Sequence, residues 1–324
     1  MDLVGHPFFN KRPVLSYSGL NKLLFSPLLY RKHYIENERE DKLEPHLIEG
    51  KLIHLLLLEK DKLPDKFIVS PSKIPTANTA KLLYKISSEL PPEASSDLNS
   101  HKDLVLKALA DVNLHQSLKT DEQRLDKIID DLSIEYFRYL RESDGKDVVD
   151  EDTYLKCKQY AEIIQEAPEV MTLLHLGDNT FDITSDSECY MKAALPDYNF
   201  DLHGFIDNYV IRHNSKRIVI NDIKTTGKPI QKFQDTVEYY RYDLQAAVYI
   251  KLIKENYPQL IDYEVEYNFI VIDNYAQVCI FTYSHDKCLQ LTEDLVTTLQ
   301  NVEYHFVNRK FDLPYDVKEG RVYL

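Results

Sequence analysis

The chain has 324 residues and 44% apolar content, enough for one large core or two small ones and too apolar for a wholly disordered protein. A formal charge of -14 argues against a protein that coats nucleic acid by bulk electrostatics, although a local basic channel is compatible with an acidic exterior. Cys157, Cys189, Cys279 and Cys288 form no CxxC pair and no zinc-like spacing, so they read as free thiols of a reducing compartment. The N-terminus MDLVGHPFFNKRP is no secretory leader and no apolar run is long enough to span a bilayer, so a cytoplasmic protein without membrane association is expected.

Taken in chain order, Ser16 to Glu36 places Leu20, Leu23, Leu24 and Leu28 at helical spacing, and Pro27 predicts two short helices. Glu49 to Leu58 (EGKLIHLLLL) predicts an apolar helix carrying His54. An imidazole among leucines is costly unless bonded, so His54 is either a satisfied core histidine or a metal ligand. Pro71 to about Asp121 is rich in Pro, Ser, Ala and Asn, with a weakly amphipathic helix at Asp103 to Ala110. Helices follow at Glu122 to Arg141 and Asp150 to Ala167, the second opening on acidic residues and closing before Pro168.

The C-terminal half changes to strand-like runs at Glu188 to Ala194, His203 to Arg212, Arg217 to Lys224, Glu264 to Ile272 and Gln277 to Tyr283. Helices are expected at Phe233 to Ile253 and Lys287 to Asn301, giving an α/β sheet core preceded by a helical region.

The densest chemistry lies in HGFIDNYVI and RIVINDIKTT, two strand candidates joined by a short polar turn. Strand alternation puts Asp222 and Lys224 on one face, and the turn lets Asp207 lie beside them. Two carboxylates and an ammonium suit phosphodiester hydrolysis: hard oxygen ligands hold Mg²⁺, and the lysine steadies the nucleophile or the developing charge. The backbone carbonyl of Ile223 joins Asp222 in this reading. Glu188, on the preceding strand, either approaches the same metal or stays a surface carboxylate, because sequence does not fix register. Gln245 and Tyr249, four apart on a helix, either hydrogen bond near the metal or simply pack.

In chain order, Gly50-x-x-x-His54, Gly204-x-x-Asp207, Asp222-x-Lys224 and Gln245-x-x-x-Tyr249 resemble the ordered motifs of RecB-like nucleases in the PD-(D/E)XK superfamily. The segments LSYSGLNKLLFSPLLYRKHY, GKLIHLLLLEKDKLPDKFIV, KDVVDEDTYLKCKQYAEIIQEAP and DIKTTGKPIQKFQDTVEYYRYDLQAAVY look like those of phage and prophage RecE-type (exodeoxyribonuclease VIII-like) exonucleases. The likeness covers most of the chain, thinning between Ile74 and Glu122. No proline precedes Asp207 directly, and the cysteines do not match the C-terminal cluster of the iron–sulfur relatives, so no such cluster is expected.

The resemblance implies an α/β PD-(D/E)XK nuclease core, a central mixed β-sheet flanked by helices, with a helical N-terminal region. Residues 1-324 would form a single nuclease domain, 1-170 its mainly helical part carrying His54 and 180-324 its sheet-containing catalytic core. It implies that His54, Asp207, Asp222 and Glu188 ligate metal, that Lys224 is the catalytic lysine, and that Gln245 and Tyr249 support the site. Thr225 and Thr226 match the family's threonine pair. The implied cofactor is Mg²⁺, with Mn²⁺ substituting.

The implied activity is processive 5′-to-3′ digestion of linear double-stranded DNA from its ends, leaving 3′ overhangs for recombination. The implied partners are further copies in a ring-shaped homo-oligomer and a single-strand annealing protein, in the cytoplasm of a bacterial host if the chain is phage-encoded. Candidate channel residues are Lys11, Arg12, Lys22, Arg31, Lys32, Lys228, Lys232 and Arg241. A structure- or site-specific endonuclease on the same fold, or a catalytically inactive DNA-binding subunit, are the alternatives.

Overall fold

The computed structural model describes Leu3, residues 5–38 and residues 45–321. The chain begins with β1 (Val14–Leu15), α1 (Tyr17–Phe25) and α2 (Pro27–Tyr30), which runs on into a π turn, Arg31–Ile35. Ser16 caps α1 by accepting from the Gly19 N–H, and Ser26 caps α2 by accepting from Leu29, so the break expected at Pro27 is where one capped helix ends and another starts. Next come α3 (Pro45–Leu58), α4 (Leu63–Lys66), β2 (Phe67–Val69), α5 (Ala77–Glu89), α6 (Lys102–Asp111), α7 (Asp121–Asp126) and α8 (Asp131–Glu142). The remainder is β3 (Asp147–Val149), α9 (Glu151–Gln165), α10 (Pro168–Leu174), β4 (Ile183–Ala193), β5 (Asp201–Arg212), β6 (Arg217–Thr226), α11 (Phe233–Tyr240), α12 (Tyr242–Asn256), β7 (Glu264–Asp273), β8 (Val278–Tyr283) and α13 (His285–Asn308).

Two expected helices are each divided. Asp130 accepts from the Ser133 N–H and starts α8 afresh, separating it from α7. Arg241, at φ 57°, stands in the left-handed region between α11 and α12 and cuts the helix predicted over Phe233 to Ile253. A helix in the Pro- and Ser-rich stretch went unanticipated: α5, capped by Thr76.

The chain divides into two units, Met1–Leu43 with Leu57–Glu59 and Tyr160–Leu324, and Glu44–Leu56 with Lys60–Gln159. In the second, β2 and β3 pair in parallel, and Leu82, Leu83, Ile86, Leu98, Val105, Leu109 and Phe137 form a buried core. The first holds a six-stranded mixed sheet in the order β1-β5-β6-β7-β8, with β4 on the other edge of β5. β1 runs parallel to β5 and β6 parallel to β7; the remaining pairs are antiparallel. Helix α12 carries a nearly continuous buried run from Leu244 to Ile250 and shares the core of Leu202, Ile206, Tyr209, Ile218, Ile220, Tyr267 and Phe269. Among the described residues no helix is long and apolar enough to cross a membrane.

Two irregularities of this sheet decide where side chains go. β1 and β6 share one edge of β5: β1 pairs with Asp201 and Leu202, whereas β6 pairs only from Asn208 to Arg212. From His203 to Asp207 that edge has no partner strand among the described residues. Second, Leu202, Ile206, Tyr209 and Ile211 all join one core, so inward positions switch from even to odd numbers within β5. Strict alternation does not hold there.

Candidate active site

The β5–β6 ladder ends on the pair Asn208 and Asn221, and the residues just past it are Asp207 and Asp222. Past the end of that ladder, Ile223 donates its N–H to Asp207 Oδ2 at 2.8 Å. Asp222 is fully buried and its Oδ2 lies 2.6 Å from Lys224 Nζ, two residues along the same face of β6. Its Oδ1 accepts from Gln245 Nε2 at 3.1 Å, and the same amide nitrogen donates to Tyr249 Oη at 3.1 Å, one helical turn further along α12. The amide oxygen, Gln245 Oε1, is buried and has no hydrogen-bond partner among the described residues.

Glu188 arrives from β4. Ser187 faces Asn208 and Cys189 faces Ile206, which sets Glu188 opposite Asp207. Its φ is 49°, a conformation that a non-glycine residue adopts at a cost. Cys189 packs on the core, whereas Ser187 meets Asn208 on the other face, so the left-handed step is where β4 changes the side it presents. Carboxylate oxygens of Glu188 and Asp207 lie within 4.8 Å of one another.

Burial works against the charge on Lys224, and the carboxylates of Asp222 and Asp207 outweigh it, so its pKa stands above the ordinary lysine value. Lys224 is therefore an ammonium that donates and supplies charge, not a proton acceptor. Burial likewise raises the Tyr249 hydroxyl, aided by Asp207 and Asp222, and keeps it protonated.

The Asp207 and Asp222 carboxylates are buried, Asp222 lies against the Lys224 ammonium, and Glu188 stands close to Asp207. Like charges held this close favour a bound cation, and hard oxygen donors are what a divalent ion such as Mg²⁺ takes. The residues present fit such an ion.

The structure thus brings Asp207, Asp222, Lys224, Gln245, Tyr249 and Glu188 together in one unit. His54 lies on α3, in the other unit. Of the threonine pair, Thr226 is buried and accepts from the Lys228 N–H, bracing the turn after β6. Among the basic candidates, Arg12 pairs with Asp201 at 2.7 Å and Arg31 with Glu36 at 2.7 Å, whereas Lys228, Lys232 and Arg241 are exposed.

Several residues around the site had drawn no attention in the sequence. Tyr242 lies under Lys224, whose Nζ is 4.8 Å from the ring centroid. Behind the two aspartates runs a row of side-chain hydrogen bonds. Asn221 Nδ2 donates to Asn208 Oδ1, Asn268 Nδ2 donates to Asn221 Oδ1, and the Thr282 hydroxyl donates to Asn268 Oδ1. Asn208 and Asn221 also donate to the Leu174 and Leu173 carbonyls at the end of α10. The available signal was the recurrence of asparagine, disfavoured in strands, in three adjacent strand candidates.

A mixed sheet flanked by helices, with carboxylates and a lysine gathered where two of its strands part, defines a nuclease-type acidic site. The chain matches the model of the PD-(D/E)XK nuclease superfamily over residues 14–310 and belongs to that superfamily. Nucleases of this superfamily generally use divalent metals, in keeping with the donors found here. A solved structure of a candidate exonuclease from Eubacterium rectale is similar at 11% sequence identity and a TM-score of 0.48, over 100% of this chain and 94% of that one. No curated protein matches the chain significantly.

Proposed function

We propose that this protein is a Mg²⁺-dependent exonuclease of the RecE type, a single nuclease domain that hydrolyses linear double-stranded DNA from its ends. The observation that carries the hydrolytic part is the convergence of Asp207, Asp222 and Lys224 where β5 and β6 separate, backed by Gln245. The four motifs resemble those of RecB-like nucleases, and the likeness of the longer segments around them to RecE-type exonucleases supports end-dependence, 5′-to-3′ polarity and 3′ overhangs. The same likeness supports a ring of identical chains, an annealing partner and recombination in the cytoplasm of a phage-bearing host.

In this reading Asp207, Asp222, Glu188 and the Ile223 carbonyl hold the metal, with His54 as a nitrogen donor. Mg²⁺, or Mn²⁺ in its place, supplies Lewis acidity and a water of lowered pKa when bound. Lys224, fixed by Asp222 and Tyr242, donates to the attacking water or to the phosphate oxygen on which charge develops. Gln245 holds Asp222 in place from one oxygen and leaves the other facing Lys224. Tyr249 stays protonated and orients the amide of Gln245.

The test is release of nucleotides from linear duplex with and without Mg²⁺, by wild type and by Asp222→Ala and Lys224→Ala. Release that requires metal and is lost in both variants is expected; undiminished release by either variant rejects the site. Covalently closed circular DNA in parallel decides between reaction modes, since prompt cutting of closed circles would establish an endonuclease in place of an exonuclease. His54→Ala is compared for metal half-saturation and for unfolding, to separate lost ligation from lost folding.

A further inference from the structure

A column of aromatic rings runs from the core of the sheet unit to its surface beside the acidic site. Phe269, fully buried, stacks on Tyr242 with centroids 5.9 Å apart and planes at 27°. Tyr242 stacks on Tyr240 at 5.6 Å and 17°, and Tyr239 meets Tyr240 edge-on at 4.9 Å. The column surfaces abruptly: Tyr240 is 46% exposed and Tyr239 77%. Two adjacent tyrosines in water are not explained by packing, and their backbone is not loose. The Tyr17 hydroxyl donates to the Tyr240 carbonyl, and Asn21 Nδ2 donates to the same oxygen at 3.2 Å. The left-handed Arg241 then turns the chain into α12, so the surface rings stand on a junction fixed from both sides.

Position gives this surface a meaning. Tyr242, the middle ring, carries Lys224 over its face at 4.8 Å, and Lys224 is 2.6 Å from Asp222. These short steps bring Tyr240 within reach of the nucleotides adjoining a phosphate placed against Asp222 and Lys224. The exposed basic groups Arg241, Lys228 and Lys232 belong to the same segment and suit a polyanion. Every nucleobase offers a π-face, so aromatic stacking of this kind is tolerant of sequence, as digestion from an end requires.

Resting on the proposed nuclease reading, we propose that Tyr240 and Tyr239 form a stacking site for an unpaired nucleobase of the strand being cut, next to the phosphate held at Asp222 and Lys224. The site takes single-stranded DNA at a frayed end and positions the strand; it donates nothing to the reaction itself. Tyr240 and Tyr239 are positioning residues.

The experiment measures steady-state cleavage of linear duplex carrying an abasic analogue at successive positions from the cut end, by wild type, Tyr240→Ala, Tyr239→Ala and Tyr240→Phe. Tyr240→Ala is expected to raise KM about 10-fold with kcat and Mg²⁺ half-saturation little changed, and Tyr240→Phe to restore wild-type KM. At one position the abasic analogue should raise wild-type KM by a similar factor and have no further effect on Tyr240→Ala, the signature of a shared contact. Equal abasic penalties in wild type and Tyr240→Ala at every position would overturn the stacking site. So would an altered oligomeric state of Tyr239→Ala or Tyr240→Ala on size exclusion, which would assign the rings to contact between copies of the chain. Absence of cleavage by wild type on unmodified DNA refutes the nuclease reading, a result distinct from wild-type cleavage that ignores both the abasic position and the tyrosine variants.

Discussion

Asn221 donates its side-chain amide to Asn208 at 2.8 Å, and each of these asparagines is the immediate neighbour of an aspartate of the candidate site, Asp222 and Asp207. The two face each other as the last pair of the β5–β6 ladder, both fully buried. Their hydrogen bond closes the ladder at the point where the strands must part, and so fixes how far apart the two carboxylates begin. Asn221→Leu removes the donor and leaves Asn208 Oδ1 and the Leu173 carbonyl unsatisfied, at a cost of about 1–3 kcal/mol. Urea unfolding should show that loss. The Mg²⁺ concentration needed for half-maximal cleavage should rise as well; destabilisation with unchanged metal dependence would show that the ladder does not position the aspartates.

Lys224 is the ammonium of an acidic cluster, which makes opposite predictions for stability with and without metal. In metal-free protein Lys224→Met removes the ammonium beside the buried Asp222 carboxylate and should destabilise the fold by about 3–5 kcal/mol. Added Mg²⁺ then has more repulsion to relieve, so its stabilising effect should be larger in the variant than in wild type. Turnover at saturating metal should nevertheless fall by about 10²–10³. Thermal unfolding titrated with Mg²⁺ measures the first pair of effects; a smaller metal response in Lys224→Met than in wild type would contradict the cluster as described.

What was legible in the sequence was whatever depends on short-range periodicity. Asp222 and Lys224 share a face because alternation holds along β6, and Gln245 and Tyr249 meet because four residues make about one turn of α12. The break at Pro27 was legible because proline and its capping serine are local signals. The break at Arg241 carried no such signal, since an arginine in the left-handed region is fixed by surroundings and not by its own preference. The same holds for the change of face at Glu188 and within β5, which depends on where β6 leaves its neighbour. β1 pairs through only two residues and was invisible to a pattern that needs four or more. The asparagine row joins residues from three strands through side chains alone, and no one-strand pattern contains it.

Gly204 occupies a position of β5 that no other residue fits unaltered. A Cβ there would lie 3.0 Å from the Tyr249 ring and 3.0 Å from Leu252 Cδ1, both on α12. Its φ is not in the left-handed region, so the requirement is one of space. Gly204→Ala should push α12 outward, moving Tyr249 and through it Gln245 away from Asp222. Activity should fall together with stability, by roughly 1–3 kcal/mol for the overpacking. Because it vacates the clashing Cδ1, Leu252→Ala should cost less stability in the Gly204→Ala background than in wild type; equal costs in the two backgrounds would show that the clash is not the cause.

His305 gives the fold a dependence on acid pH that is separate from the site. It is buried near the end of α13, and its Nδ1–H donates to the Lys310 carbonyl at 2.7 Å. Burial lowers its pKa below the ordinary 6.5, against an opposing effect of the Lys310 carbonyl. A histidine depressed in the folded chain takes up its proton more readily when unfolded. Its contribution is therefore full above pH 6.5 and is lost as pH falls through 6.5 towards the lower folded value. His305→Asn keeps a donor in place of Nδ1–H and removes the titration, so the variant's stability should fall less than that of wild type between about pH 7.5 and 5.5. Parallel pH curves for the two proteins would exclude His305 as a contributor.

Glu188 combines strain and repulsion at one residue, and the two can be relieved together. Its left-handed backbone costs about 1–2 kcal/mol in a non-glycine residue, and its carboxylate stands within 4.8 Å of that of Asp207. Such costs persist where surroundings enforce them and gather at functional sites. Glu188→Gly removes both, whereas Glu188→Ala removes the carboxylate and keeps the strain, so metal-free Glu188→Gly should be the more stable of the two by about 1 kcal/mol in urea unfolding. If Glu188 ligates metal as proposed, both variants should need more Mg²⁺ than wild type for half-maximal cleavage. If Glu188→Gly were no more stable than Glu188→Ala without metal, the left-handed step would be a preferred conformation of this strand and not strain held in place for the site.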